Sequence, residues 1–125
     1  MQDFLFVKEG GKRFRVLIFG LQYIEADHRF VKLVTANKVY IGSGSLSLVE
    51  QQLPPDLFCR IHRSHIVSLQ HIRWFTSKSV VIGEKRLSIS RQYWSTFSQK
   101  VATVCDTTSL TQKNIIDLYN RTNRS

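Results

Sequence analysis

Long apolar runs are missing from this chain. No uninterrupted one is longer than Val16-Leu17-Ile18-Phe19, which falls far short of the ~20 residues that a bilayer-spanning helix needs. The N-terminal stretch MQDFLFVKEG carries acids where a secretory signal needs Lys or Arg, and it has no extended apolar core. The chain therefore reads as soluble and cytoplasmic, without a membrane partner. Cysteine is scarce: Cys59 and Cys105 allow one disulfide by arithmetic, but a reducing compartment favours two free thiols. Acidic residues are also few, nine Asp+Glu against eighteen Lys+Arg. Most of those acids are isolated, which leaves little for paired-carboxylate chemistry. No Gly-rich phosphate loop, nucleophile elbow or HExxH spacing is present. An enzyme is the reading these absences disfavour most, and no cofactor is expected.

What is present is positive charge on an ordinary globular composition. With 42% hydrophobic residues and 125 residues in all, one domain with a real core is expected. The formal net charge of +9 argues for an anionic partner: nucleic acid, an acidic protein or a lipid surface. The cations are spread, ten Lys/Arg in residues 1–75 and eight in 76–125, so a basic tail is not their source.

The first half reads as short strands with tight connections. Residues 4–7 stop at Glu9-Gly10-Gly11-Lys12, a hairpin signal. Strands are predicted over 14–19, 21–26, 30–35 and 39–41, with polar turns at Asp27-His28-Arg29 and Ala36-Asn37-Lys38. Ser45 or Ser47 can cap a brief helix whose apolar face is Leu46, Val49 and Leu53, ended by Pro54-Pro55. From Leu57 to His62 the sequence alternates, with Cys59 and Ile61 on one face and Arg60 and His62 on the other. Ile66, Leu69 and Ile72 then sit three apart, which predicts a helical turn. Further strands are expected at 74–75, 79–83 and 86–90. Ser90 is positioned to cap a last helix, Arg91 to about Val101, with Tyr93-Trp94, Phe97 and Val101 inward. Residues from Asp106 on are Thr/Asn/Ser-rich, a weakly ordered extension with one amphipathic turn at 114–119.

The segment CRIHRSHIVSLQHI, residues 59–72, sets Arg60, His62, Arg63 and His65 within six positions. Buried unpaired cations are costly, so these residues either find partners or surface toward an anion. Cys59, His62 and His65 lack the fourth ligand and the paired spacing of a zinc site, and no metal is expected. A plain account makes Arg60 and His62 the wet face of an amphipathic strand. A sharper one uses the break in period. A strand ending at His62 leaves Arg63-Ser64 at a corner pinned by Ile61 before it and Ile66 and Leu69 after it. An arginine held at such a corner suits bidentate contact with phosphate or with guanine O6/N7.

The stretch LFCRIHRSHIVSLQHI is similar to the signature of the LytTR-type DNA-binding domain of bacterial transcription regulators. Tyr23-Ile24-Glu25-Ala26 with its following turn, the helix before the signature, and Leu87-Ser88-Ile89-Ser90-Arg91 resemble other parts of that family in register. The likeness runs from about Phe4 to Phe97. It implies a mainly β fold, a LytTR-like β sandwich of short strands in small stacked sheets with brief helices, whose loops enter successive major grooves of double-stranded DNA. By the resemblance, His28, Arg29, Arg63 and Arg91 match base-contacting positions, while Arg60, Ser64 and Ser90 match positions that support phosphate binding. Lys32, Lys38, Lys85 and Arg86 are auxiliary phosphate contacts, chosen by proximity in sequence. The family also implies promoter direct repeats bound by two copies, and often an upstream receiver domain of a two-component response regulator, which is absent from this chain. Ser68 stands where Asn is common, His65 where an aromatic is, and Gly20 where an acid is. The expected division is a DNA-binding domain over 1–97 and an extension over 98–125. The competing class is a basic β-rich RNA-binding or protein-interaction module, which would need exposed aromatic platforms. Phe4, Phe6, Phe14, Phe19, Phe30 and Phe75 read instead as core.

Overall fold

The computed structural model describes residues 3–106 and 111–122. Ten short strands and three helices follow in order: β1 (Phe4–Glu9), β2 (Lys12–Leu17), β3 (Leu21–Asp27), β4 (Phe30–Thr35), β5 (Val39–Ser43), α1 (Leu46–Gln52), β6 (Phe58–His62), β7 (His65–Ser68), β8 (Ile72–Phe75), β9 (Ser79–Ile82), β10 (Lys85–Ser88), α2 (Arg91–Lys100) and α3 (Gln112–Thr122). A five-stranded antiparallel sheet in the order β5-β4-β3-β7-β6 forms the centre. The β1-β2 hairpin and the three-stranded sheet β10-β9-β8 are separate small sheets.

The central sheet is buried on both faces, and strand alternation sorts its side chains between two clusters. On β7, Ile66 joins Ile24, Leu33, Phe58 and Leu46 on the face that α1 and the hairpin cover. Its neighbour Val67 joins Cys59, Ile61, Val80, Leu87 and Phe97 on the face that the three-stranded sheet and α2 cover. Phe97 is fully buried and meets Phe75 edge-on at 5.2 Å. The mainly β stacked-sheet architecture implied by the resemblance is the one observed.

Local chemistry explains most element ends. Gly10 and Gly11 take φ of +60° and +80°, which a two-residue hairpin turn demands and an L side chain resists. Ser45 caps α1, its hydroxyl accepting from the Leu48 N–H at 3.2 Å. α2 packs its Phe97 and Trp94 side inward.

Four expectations are corrected. The strand predicted over 14–19 stops at Leu17, and Ile18–Gly20 is a 3-10 turn. The chain must bend there to pass from the hairpin into β3, and the Ile18 N–H donates to the Asp3 carbonyl as it does so. The spacing of Ile66, Leu69 and Ile72 spans three elements: Ile66 lies in β7, Leu69 in a 3-10 turn over Leu69–His71, and Ile72 in β8. Pairing of Ile66 with both Ile24 and Arg60 overrides the helical period. Ser90 has the extended backbone of an N-cap, but its hydroxyl makes no cap bond and lies 3.5 Å from the Ile61 carbonyl. Among the aromatics expected in the core, Phe6, Phe19 and Phe30 are more than half exposed. Phe6 lies on the outward face of the two-stranded hairpin, Phe19 in the 3-10 turn, and Phe30 at the first position of β4, beside the β3–β4 turn where the covering layers end.

The helix α3 is longer than the single turn expected at 114–119, and its side chains are exposed throughout. Residues 107–110 and 123–125 of the expected extension, and residues 1–2 of the expected domain, lie outside the described residues. No helix among the described residues is long and apolar enough to cross a membrane.

Candidate nucleic-acid interface

Two hairpin turns and a helix entrance meet at one end of the central sheet. The β3–β4 turn is the pair His28-Arg29, closed by Asp27 opposite Phe30. The β6–β7 turn is Arg63-Ser64, closed by His62 opposite His65. Because β3 and β7 are neighbours with Glu25 opposite His65, these turns lie side by side, and the Ala26 N–H donates to the Ser64 carbonyl at 2.8 Å. The entrance to α2 is tied to the same place, since the Ser90 N–H donates to the Ile61 carbonyl at 2.8 Å. Arg91 follows at once. His28, Arg29, Arg63 and Arg91 are all exposed, and the three arginines have no carboxylate partner among the described residues.

His28 holds φ at +56°, the only described non-glycine in the left-handed region. The hairpin twist asks for positive φ there, and glycine would meet the need without steric cost. A side chain at this position is thus kept against a backbone penalty. Its ring is 93% exposed and 3.8 Å from the Asp27 carboxylate.

Arg60 is placed differently from the other cations. Its guanidinium turns under the β6–β7 turn: Nε donates to the His62 carbonyl at 3.2 Å and Nη2 to the Arg63 carbonyl at 2.6 Å. Nη1 donates to Ser47 Oγ at 3.3 Å and lies 3.5 Å from Glu50. The Tyr93 ring lies beneath it at 5.9 Å. Its donors are spent on the protein, so Arg60 fixes the backbone that presents Arg63.

Two histidines complete the support. The Ser64 N–H donates to His62 Nδ1 at 3.1 Å, so that nitrogen carries no proton in this arrangement. His65 Nε2 faces Glu25 at 3.6 Å, and its Nδ1 is buried without a hydrogen-bond partner. Burial pushes the His65 pKa below its ordinary value; Glu25 opposes that shift, and His62 and Lys85 reinforce it. Burial prevails, because a proton on Nδ1 would lack an acceptor. Cys59, at the base of this hairpin, is buried and its thiol is pushed up, chiefly by burial.

The auxiliary cations divide. Lys32 stands opposite Glu25 on β4 and pairs with Asp27 at 3.5 Å, beside the first turn. Lys85 is near enough for its charge to oppose protonation of His65. Arg86 is engaged on the three-stranded sheet, over the Trp74 ring at 4.9 Å and donating to Ser79 Oγ at 3.1 Å. Lys38 is not brought to this end. It lies in the β4–β5 turn, at the far end of β4 from His28, paired with Glu9 at 3.6 Å and set over Phe14 and Tyr40. Sequence reasoning missed the Arg60 cradle, although Ser47 and Glu50 are three apart on one helix face, which was a usable signal. It also missed Phe30, 53% exposed at the edge of the first turn.

The model of the LytTr DNA-binding domain matches residues 11–102. The chain is 39% identical over 59 residues to the CO-responsive transcriptional regulator RcoM of Rhodospirillum rubrum, covering 47% of this chain and 25% of that protein. It is 30% identical over 84 residues to the sensory transduction protein LytT of Enterococcus faecalis, covering 62% and 35% respectively. The matches thus span about a quarter to a third of these relatives' own lengths. A solved LytTr DNA-binding domain from Bacillus cereus has the same fold, with a TM-score of 0.71 at 24% identity over 82% of this chain and all of that one.

Proposed function

The chain belongs to the LytTr DNA-binding domain family, and from that premise we propose that it reads a promoter duplex through the clustered turns at one end of its central sheet. His28, Arg29, Arg63 and Arg91 contact base edges in the major groove, where arginine pairs bidentately with guanine. Phe30 offers an apolar surface suited to a thymine methyl. Ser64, Lys32 and Lys85 meet phosphates, while Arg60 and Ser90 act by holding the turn and the helix entrance in place. Two copies on direct repeats, action in the cytoplasm and membership of a longer regulator with an upstream sensory or receiver domain complete the proposal.

The observation that carries it is the pair of backbone hydrogen bonds, Ala26 to Ser64 and Ser90 to Ile61, which ties three basic tips together. Selection of bound sequences from a random duplex pool tests it. A defined site should emerge, and Arg63→Ala should fold normally yet bind that site about 1–3 kcal/mol more weakly, with relaxed choice at one base pair. Enrichment of no site, or equal binding to single-stranded RNA, would sink the proposal in favour of a non-specific basic module.

A further inference from the structure

The β1-β2 hairpin carries a second surface that DNA reading does not use. Its inner face, Leu5, Val7 and Val16, packs on the core. Alternation turns Phe4, Phe6 and Lys8 outward on β1 and Leu17, Arg15 and Arg13 outward on β2, in direct register. Phe6 and Leu17 are more than half exposed, the Phe4 and Phe6 rings meet edge-on at 5.7 Å, and Arg15 lies over Phe4. The outward face holds no acid, and none of its three cations has a carboxylate partner among the described residues.

The same hairpin exposes backbone. Its sheet has two strands only, and β1 is the strand that lies against β5, leaving β2 outermost. The Ile18 N–H bonds Asp3, so the hydrogen-bonded pairs of the ladder alternate from there. Arg13, Arg15 and Leu17 fall on the intervening pairs. The N–H and C=O groups of Arg13 and Arg15 point away from β1, along the open edge, with the Leu17 N–H beside them, while the Leu17 carbonyl is taken up as N-cap of the 3-10 turn Ile18–Gly20. An open edge of this kind is completed by another polypeptide strand.

We propose that β2 is a docking edge for an extended protein segment with alternating acidic and apolar side chains. The segment adds as a third strand. Its backbone pairs with β2 at Arg13 and Arg15, its carboxylates lie on the outward face beside the two guanidiniums, and its apolar residues turn to the other face beside Phe14 and Val16. Charge disfavours a second copy of this chain in the same place, since its own edge would bring cation against cation. A nucleic acid or an anionic bilayer would satisfy the cations but not the row of backbone groups. The hairpin tip lies beside Lys38, at the end remote from His28, so the edge is open while the turns hold DNA.

The test uses a capped synthetic peptide alternating glutamate and valine, added to the isotopically labelled full chain, with amide NMR as readout. Binding should shift the amides of Arg13, Arg15 and Leu17. It should weaken at least about tenfold in R13E/R15E through lost charge. It should also weaken in R15P, which removes an outward N–H that the internal ladder does not use. Both variants should keep wild-type circular dichroism and duplex affinity; if R15P misfolds, R13E/R15E and the shift map decide. Shifts mapping elsewhere, unaltered peptide binding by R13E/R15E, or tighter occupation of this face by oligo-dT or by phosphatidylglycerol vesicles than by the peptide would overturn the proposal.

Discussion

At the scale of single residues, the cations of the 59–65 stretch divide labour by where their donors point. Arg63 is exposed at the turn, and Arg60 is folded beneath it with contacts to His62, Arg63, Ser47 and Glu50. Alanine at Arg60 should therefore lower stability and duplex affinity together, stability by about 1–3 kcal/mol as hydrogen bonds from a charged group are lost. It should leave the dependence of affinity on salt unchanged, because no phosphate contact disappears. Binding isotherms across a salt series check this; a direct phosphate ligand would lower the slope by about one. His65 gives a pH prediction. Its pKa is lowered on folding by burial, so below the ordinary value of 6.5 the unfolded chain takes up a proton that the folded one resists. Stability should be full above that value and should fall as pH drops through it. Denaturation midpoints across mildly acidic buffers should show the loss, and His65→Gln should flatten it.

At the scale of elements, each of the two basic turns is short and heavily constrained. The β3–β4 turn keeps His28 at φ +56° where glycine would be unstrained. His28→Gly should thus leave stability equal or higher while weakening binding to the selected duplex, a split that chemical denaturation and binding titrations would reveal. A loss of stability would instead make the imidazole a structural part. Element types were largely legible in the sequence because alternation and turn residues agree locally: Glu9-Gly10-Gly11-Lys12 is a hairpin both as a string and in space. A serine cap on α1 was legible for the same reason, although the sequence left it open between Ser45 and Ser47 and the structure uses Ser45. The failures share a cause. Ile66, Leu69 and Ile72 mimic a helical period, but which strands flank Ile66 is a long-range fact that spacing does not carry. Likewise Phe6, Phe19 and Phe30 look like core by hydrophobicity, and only the layering shows that nothing covers them.

At the scale of the whole molecule, the sheet order decides which distant residues become neighbours. Placing β3 beside β7 joins the turns at 28–29 and 63–64, and clipping Ser90 to Ile61 adds the α2 entrance. The resemblance carried the expectation that His28, Arg63 and Arg91 share one side of the scaffold, and the sheet order brings them there. The separation of Lys38 was not legible, because proximity in sequence had set it with the others. The outcome is a molecule with a polar axis: the basic turns at one end, the β1-β2 tip and Lys38 at the other. Amide NMR of the labelled chain titrated with its selected duplex tests this arrangement most directly. Residues 27–30, 62–65 and 90–92 should shift together while Gly10, Gly11, Asn37 and Lys38 stay fixed. Shifts centred on the far end, with the three turns unmoved, would contradict the account.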